Sequence, residues 1–187
     1  MMAQMRGDDG DVARSRTSVL FVCTGNICRS PMAEVVLTAL CRRTRLADGG
    51  SLADRVDVQS AGTAGWHTGE EMDARARAAL DAAGFVDPGS PASQVTDEQL
   101  ADVDVVVALD RGHRAELARR APDRELTVLR WWSEGRDLDV PDPYFGDDDG
   151  FAEVLGMILP GCTALAESLA GGALAGARRP VGEDDET

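Results

Sequence analysis

The sequence predicts an α/β fold: one three-layer domain, a parallel sheet with helices on both faces. Three observations predict it. Continuous apolar runs at Ser18–Cys23 (SVLFVC) and Val103–Leu109 read as strands buried on both faces. Between and after them come segments whose apolar residues recur at helical spacing. Strand and helix alternate along the chain, the order that builds a parallel sheet. A length of 187 residues with 43% hydrophobic residues suits a single compact core.

The elements follow in order. Residues 1–17 balance three Arg against three Asp, have few large apolar side chains, and are expected to be a disordered lead-in. Ser18–Cys23 is the first strand. Ser30–Leu46 is a helix with Met32, Val35, Val36, Ala39 and Leu40 on one face. Val56–Ser60 is the second strand. Asp73–Ala83 is a helix stopped by Gly84, and Thr96 with Gln99 forms the capping-box pattern of a short helix to Ala101. Val103–Leu109 is the third strand, Arg111–Arg120 a helix ended by Pro122, and Leu126–Leu129 the fourth strand. A long helix runs from Asp148 to about Ala170, with Pro160 expected to kink it. Residues 171–187 are expected to be a disordered acidic tail, leaving 18–170 as the domain.

Composition removes several functions. The formal charge is −14, and all 19 basic residues are Arg. Walker-type nucleotide binding and Schiff-base chemistry both need a lysine. The acidity argues against nucleic acid as a partner. No apolar run approaches the ~20 residues of a membrane helix, and Met1–Thr17 lacks a signal-like stretch. A cytoplasmic protein with no membrane partner is therefore expected; the oligomeric state stays open, with a monomer favoured. The four cysteines, in that compartment, are not expected to form structural disulfides. Two His and no Cys-x2-Cys pair give a zinc site little support, and no metal or other cofactor is expected.

Ligands of parallel sheets bind at the carboxyl ends of the strands. The first strand ends at Cys23, and the loop that follows reads Thr24-Gly25-Asn26-Ile27-Cys28-Arg29-Ser30-Pro31. Cys and Arg with five residues between them is weak on its own, with about 0.4 such pairs expected by chance here. The context makes it specific: an apolar strand leads in, and a helix leads out with Ser30 as a cap and Pro31 at its first position. Backbone N–H groups of such a loop and the helix dipole form an anion site. Gly25 and Asn26 tolerate positive φ. Arg29 grips two phosphate oxygens with its planar fork. The same positive field favours the thiolate of Cys23, a good nucleophile for phosphorus. Ser30 can donate to that sulfur. Cys28 lies in the same loop, so an oxidised Cys23 is expected to pair with it.

A phosphate ester also needs a proton donor for its leaving oxygen. Val140-Pro141-Asp142-Pro143-Tyr144-Phe145-Gly146 supplies one: prolines on both sides of Asp142 restrict its backbone. Tyr144 and Phe145 read as walls for an aromatic ring, and Trp66, in the loop after the second strand, as the opposite wall. His67 and His113 read as surface or structural residues.

Together these residues resemble the low-molecular-weight protein tyrosine phosphatases, above all the actinobacterial members. The likeness covers about residues 18–170 and rests on VLFVCTGNICRSPMAE (Val19–Glu34), SAGTAGWHTG (Ser60–Gly69), Leu109-Asp110 and DPYFG (Asp142–Gly146). The resemblance implies a four-stranded parallel sheet of flavodoxin-like order and hydrolysis of phosphotyrosine on proteins, a tyrosine kinase among the candidate partners. It implies a cysteinyl-phosphate intermediate, Asp142 as acid and then base, and Asn26 shaping the loop through bonds that reach Ser60. The chain departs from the family's His-x-Ala-Arg-Gln pattern, with Ser90 and Ser93 in place of the His and Arg, which bears on how Asn26 is held. Two alternatives share the fold. Arsenate reductases need two further cysteines in a relay, whereas Cys41 and Cys162 fall in the first and last helices. Protein arginine phosphatases resemble this loop with Thr in place of Ile27.

Overall fold

A computed structural model describes residues 16–136 and 138–172. Four strands, β1 (Thr17–Cys23), β2 (Val56–Gly62), β3 (Val105–Ala108) and β4 (Leu126–Val128), form one sheet in the order β2-β1-β3-β4. Every pairing is parallel, with Cys23 opposite Gly62 and Val22 opposite Ala108. The helices are α1 (Arg29–Arg43), α2 (Ala74–Ala82), α3 (Asp97–Asp102), α4 (Arg111–Arg120), α5 (Trp131–Glu134) and α6 (Asp148–Ala170).

Strand β1 shows why the domain has three layers. Val19, Phe21 and Cys23 point to one face, into a core with Met32 and Val36 of α1, Leu80 of α2 and Ile158 of α6. Leu20 and Val22 point to the other, against Leu100 of α3 and Leu117 of α4. Val19 to Val22 are all 0% exposed. At ~1.5–3 kcal/mol for each large apolar side chain removed from water, burial on both faces anchors this strand. The nucleophile candidate therefore stands at the end of a strand buried on both faces.

Several boundaries differ from expectation, each for a local reason. Helix α1 ends at Arg43 because Thr44 is extended and Arg45 forms an antiparallel bridge with Ser51. Val103 closes α3, its N–H donating to the Gln99 carbonyl, so β3 starts two residues later than the apolar run. The capping box of Thr96 and Gln99 is present, and Gly84 turns the chain after α2 with φ of 79°. Helix α6 continues through Pro160 without interruption. Gly156 and Pro160 both lie on its exposed face, so water can take the carbonyl that the proline leaves unpaired. By length and composition α6 could cross a membrane; here Phe151, Val154, Leu155, Ile158, Cys162 and Leu165 are buried in the core. A 3₁₀ turn at Leu52–Asp54 and the four-residue α5 had no periodicity to announce them.

The expected lead-in and tail lie outside the described residues except at their inner ends. Arg16 pairs with Asp57, Thr17 opens β1, and Gly171 caps α6.

Candidate active site

The loop from Cys23 to Arg29 joins β1 to α1. Cys28, and not Ser30, is the N-cap of α1, and no side chain caps its first turn. The first-turn N–H groups are thus left for another acceptor, such as an anion. Ser30 lies inside the first turn and Pro31 at its third position. Freed from capping, the buried Ser30 hydroxyl sits 3.0 Å from Cys23 Sγ and 3.2 Å from the Ala61 carbonyl, and its one proton can go to either.

The loop's shape depends on Asn26. Its φ is 57°, the one positive value at a non-glycine among the described residues; Gly25 does not need one. Asn26 Nδ2 donates to Ser30 Oγ (3.0 Å) and Ser60 Oγ (2.8 Å), and its Oδ1 accepts the Ser93 backbone N–H (2.8 Å). The departure at 90 and 93 therefore does not release Asn26, because the main chain supplies the third bond. Ser60 in turn donates to Glu34 Oε2 at 2.5 Å. Burial first, then the Asp87 charge, raises the Glu34 carboxyl's pKa, and the Ser60 bond opposes them. Gly62 allows this packing: a Cβ there would lie 2.6 Å from the Thr24 carbonyl oxygen, a contact no side chain rotation could relieve.

Arg29 is 4% exposed and lies at the centre of the polar contacts. Its Nη1 donates to Asp110 Oδ2 (2.9 Å) and the Val140 carbonyl (3.1 Å), and its Nη2 to Asp142 Oδ2 (2.7 Å). Asp110 also caps α4 by accepting the His113 N–H at 2.7 Å. Burial pushes the Asp110 carboxyl up, but the His113 hydrogen bonds and the His113 and Arg29 charges outweigh it and hold it at about 2. His113 is buried, with Nε2 2.8 Å from Thr24 Oγ1. It thus braces the loop from the α4 side, a structural role.

Above the loop is a cavity of about 220 Å³. Its floor is Cys23, Thr24, Gly25, Ile27, Cys28 and Arg29; its walls are Trp66, His67, Asp142, Tyr144 and Phe145. The loops after β1 and β2 and the segment before α6 thus meet at the carboxyl edge of the sheet. Trp66 is 77% and Phe145 95% exposed, so both rings project into water. Tyr144 stacks edge-on to Phe145 (5.0 Å between centroids) and faces His67 (6.1 Å). Burial above all, then the Asp73, Cys23 and Asp142 charges, pushes the Cys28 thiol up to about 12. Among the described residues no group of three or more His, Cys, Asp or Glu side chains could hold a metal ion.

Of the residues expected at the site, Cys23, Thr24, Gly25, Ile27, Cys28, Arg29, Trp66, Asp142, Tyr144 and Phe145 line this cavity, while Asn26, Ser30 and Ser60 lie outside its lining and support the loop. Those that the sequence reading missed are His67 in the wall, His113 beneath Thr24, and Glu34 behind Ser60. An i+4 offset from Ser30 on α1 was the only local signal for Glu34.

Comparison with known proteins identifies the family. Residues 18–173 match the family described as "Low molecular weight phosphotyrosine protein phosphatase". A low molecular weight protein-tyrosine-phosphatase of Streptomyces coelicolor is 46% identical over 154 residues, 79% of this chain and 90% of its own. The crystal structure of YfkJ from Bacillus subtilis superposes with a TM-score of 0.73 at 34% identity, covering 84% of this chain and 97% of that one. YwlE, an arginine phosphatase solved as a mutant with a phosphorylated active-site serine, superposes at 0.71 with 27% identity over 82% of this chain and 95% of its own. With its four-stranded parallel sheet and its Cys-x5-Arg loop beneath an aromatic-walled cavity, the chain belongs to the low molecular weight phosphotyrosine protein phosphatase family.

Proposed function

We propose that the protein hydrolyses phosphotyrosine on proteins through a cysteinyl-phosphate intermediate, with Asp142 as acid and then base. The observation that carries this reading is the convergence of Cys23, Arg29 and Asp142 on one cavity with aromatic walls. The phosphate enters the nest and its oxygens take up N–H groups of the loop and the Arg29 fork. The Cys23 thiolate attacks phosphorus, and the bond to the tyrosine oxygen breaks as Asp142 gives that oxygen a proton. Water then attacks the phosphocysteine, and Asp142 accepts its proton. The phosphorus–sulfur bond breaks, and the Ser30 hydroxyl, 3.0 Å from the sulfur, stabilises the thiolate that leaves. No step calls for a metal.

The related structure with phosphate on its active-site serine supports a covalent phosphoryl-enzyme. Its arginine-phosphatase title also supplies the second reading. Against that reading stands Ile27, an apolar side chain in the cavity floor where a guanidinium would lose hydrogen bonds. The first test is turnover of phosphotyrosine peptide in the presence of a chelator, by the unmodified protein and by Cys23→Ser. Loss of all turnover with phosphate-analogue binding intact is expected for Cys23→Ser; residual turnover above background refutes the nucleophile.

A further inference from the structure

Arg75 lies in α2, outside the reacting set, and its guanidinium is shared between two loops. Nη1 donates to the Gly146 carbonyl and Nη2 to the Tyr144 carbonyl, both at 3.1 Å. These carbonyls belong to the segment directly after Asp142. Nε and Nη2 also hold the Asp73 carboxylate at 3.1 and 2.8 Å. The Asp73 backbone N–H donates to the Ile27 carbonyl at 2.8 Å, inside the Cys23–Arg29 loop. The guanidinium packs 4.5 Å from the ring centre of Phe151, which is fully buried in the first turn of α6, and 5.9 Å from that of Tyr144.

Asp142 therefore lies between two anchors. Upstream, the Val140 N–H donates to the Leu109 carbonyl at 2.9 Å, tying the chain to the end of β3. Downstream, the Arg75 bonds tie it to α2. Prolines on either side stiffen Asp142 itself, but they do not stop the whole segment from swinging. The 2.7 Å contact to Arg29 does not secure it during the reaction either, because the phosphate competes for the same donors.

We propose that Arg75 is the positioning residue for the proton donor: through Asp73 it couples the Asp142–Gly146 segment to the phosphate loop and fixes the distance between carboxyl and phosphorus. This rests on the reading of Asp142 as the acid. A lysine could not replace Arg75, since one ammonium cannot reach two carbonyls and both carboxylate oxygens in one plane.

The test compares Arg75→Met and Arg75→Lys with the unmodified protein and with Asp142→Asn, on phenyl phosphate (poor leaving group) and p-nitrophenyl phosphate (activated). Both Arg75 variants should lose about 10- to 100-fold in kcat/KM on phenyl phosphate, a ratio that ends at the first phosphoryl transfer, since small misplacements of a catalytic group cost about that much. On p-nitrophenyl phosphate they should lose less than about threefold. Vanadate affinity should stay within about threefold, which also shows that the fold and the nest survive. Added to Asp142→Asn, neither variant should cost anything further on phenyl phosphate. Equal loss on both substrates, loss of vanadate affinity, or rescue by Arg75→Lys overturns the proposal. If Asp142→Asn shows the leaving-group signature and the Arg75 variants do not, only the positioning role falls. If Asp142→Asn lacks it, the acid assignment falls and this proposal with it.

Discussion

Asp142 Oδ2 lies 2.7 Å from Arg29 Nη2, so the proposed acid and a phosphate compete for the same donor. The two roles exclude each other in time. An incoming dianion must take the donor, and that exchange turns the Asp142 carboxyl loose towards the leaving oxygen. Removing the charge at 142 should then slow the chemistry and ease binding together. Asp142→Asn should lose about 10²–10⁴-fold in kcat/KM on phosphotyrosine peptide and much less on an activated aryl phosphate. Its vanadate affinity should equal or exceed that of the unmodified protein. Equal slowing of both substrates would show that Asp142 is not the acid.

Selectivity among phosphate esters follows from depth. Phosphorus must reach Cys23 at the cavity floor, beneath the rings of Trp66, Tyr144 and Phe145. A phosphotyrosine spans that depth with its own ring, while the backbone of a phosphoserine would strike the rim first. In kcat/KM on matched peptides, phosphotyrosine should exceed phosphoarginine, and phosphoserine should be nearly inert. Ile27→Thr should shift the balance towards phosphoarginine by removing an apolar surface that leaves its guanidinium unpaired. Hydrolysis of phosphoarginine as fast as phosphotyrosine by the unmodified protein would favour the arginine-phosphatase reading.

The cysteines should differ in their response to peroxide. Cys28 is pushed up to about 12 and Cys41 to about 11, burial being the main cause, and Cys162 is raised as well. These three stay protonated at neutral pH and oxidise slowly, so Cys23 should form the sulfenic acid. Cys28 should then displace hydroxide from that sulfur, forming a Cys23–Cys28 disulfide and water, and a dithiol should restore activity. Mass spectrometry showing sulfonic acid on Cys23 beside free Cys28 would exclude this protection.

Acid should uncouple Asp110. Its carboxyl sits near 2, against 3.8 ordinarily, so it favours the fold above about pH 4, and that contribution disappears as pH falls through about 2. Asp110→Asn keeps a cap for α4 but loses the charge facing Arg29 and His113. It should destabilise the protein by about 2 kcal/mol at pH 7, measured by urea unfolding. The gap should begin to close below about pH 4. A gap independent of pH would mean that packing, and not charge, sets the cost.

How much of this could be read from the chain depended on the range of the contact. Strand β1, the loop after it and α1 were legible because strand, anion loop and helix start lie within some twenty-five consecutive residues. The Arg75 bridge was not: its partners at 144 and 146 lie about seventy residues away, and nothing in ARARAALDA marks one Arg from the other. Helix α5 is too short for a period. His113 read only as a surface or structural residue, because its burial against Thr24 depends on the β1–β3 pairing, which sets the two loops side by side.

The bond from the Ser93 backbone to Asn26 has a consequence for how the sequence can drift. A main-chain donor belongs to every residue but proline, so no ordinary exchange at 93 can remove it. The side chain there is then free to change without deforming the left-handed turn at Asn26, and what must be inherited is the path of the chain past β2. That path is held by Gly62, whose N–H and carbonyl pair with Ser93 and Val95 at 2.8 Å each. Selection on the catalytic loop therefore falls partly on a glycine that takes no part in the proposed reaction.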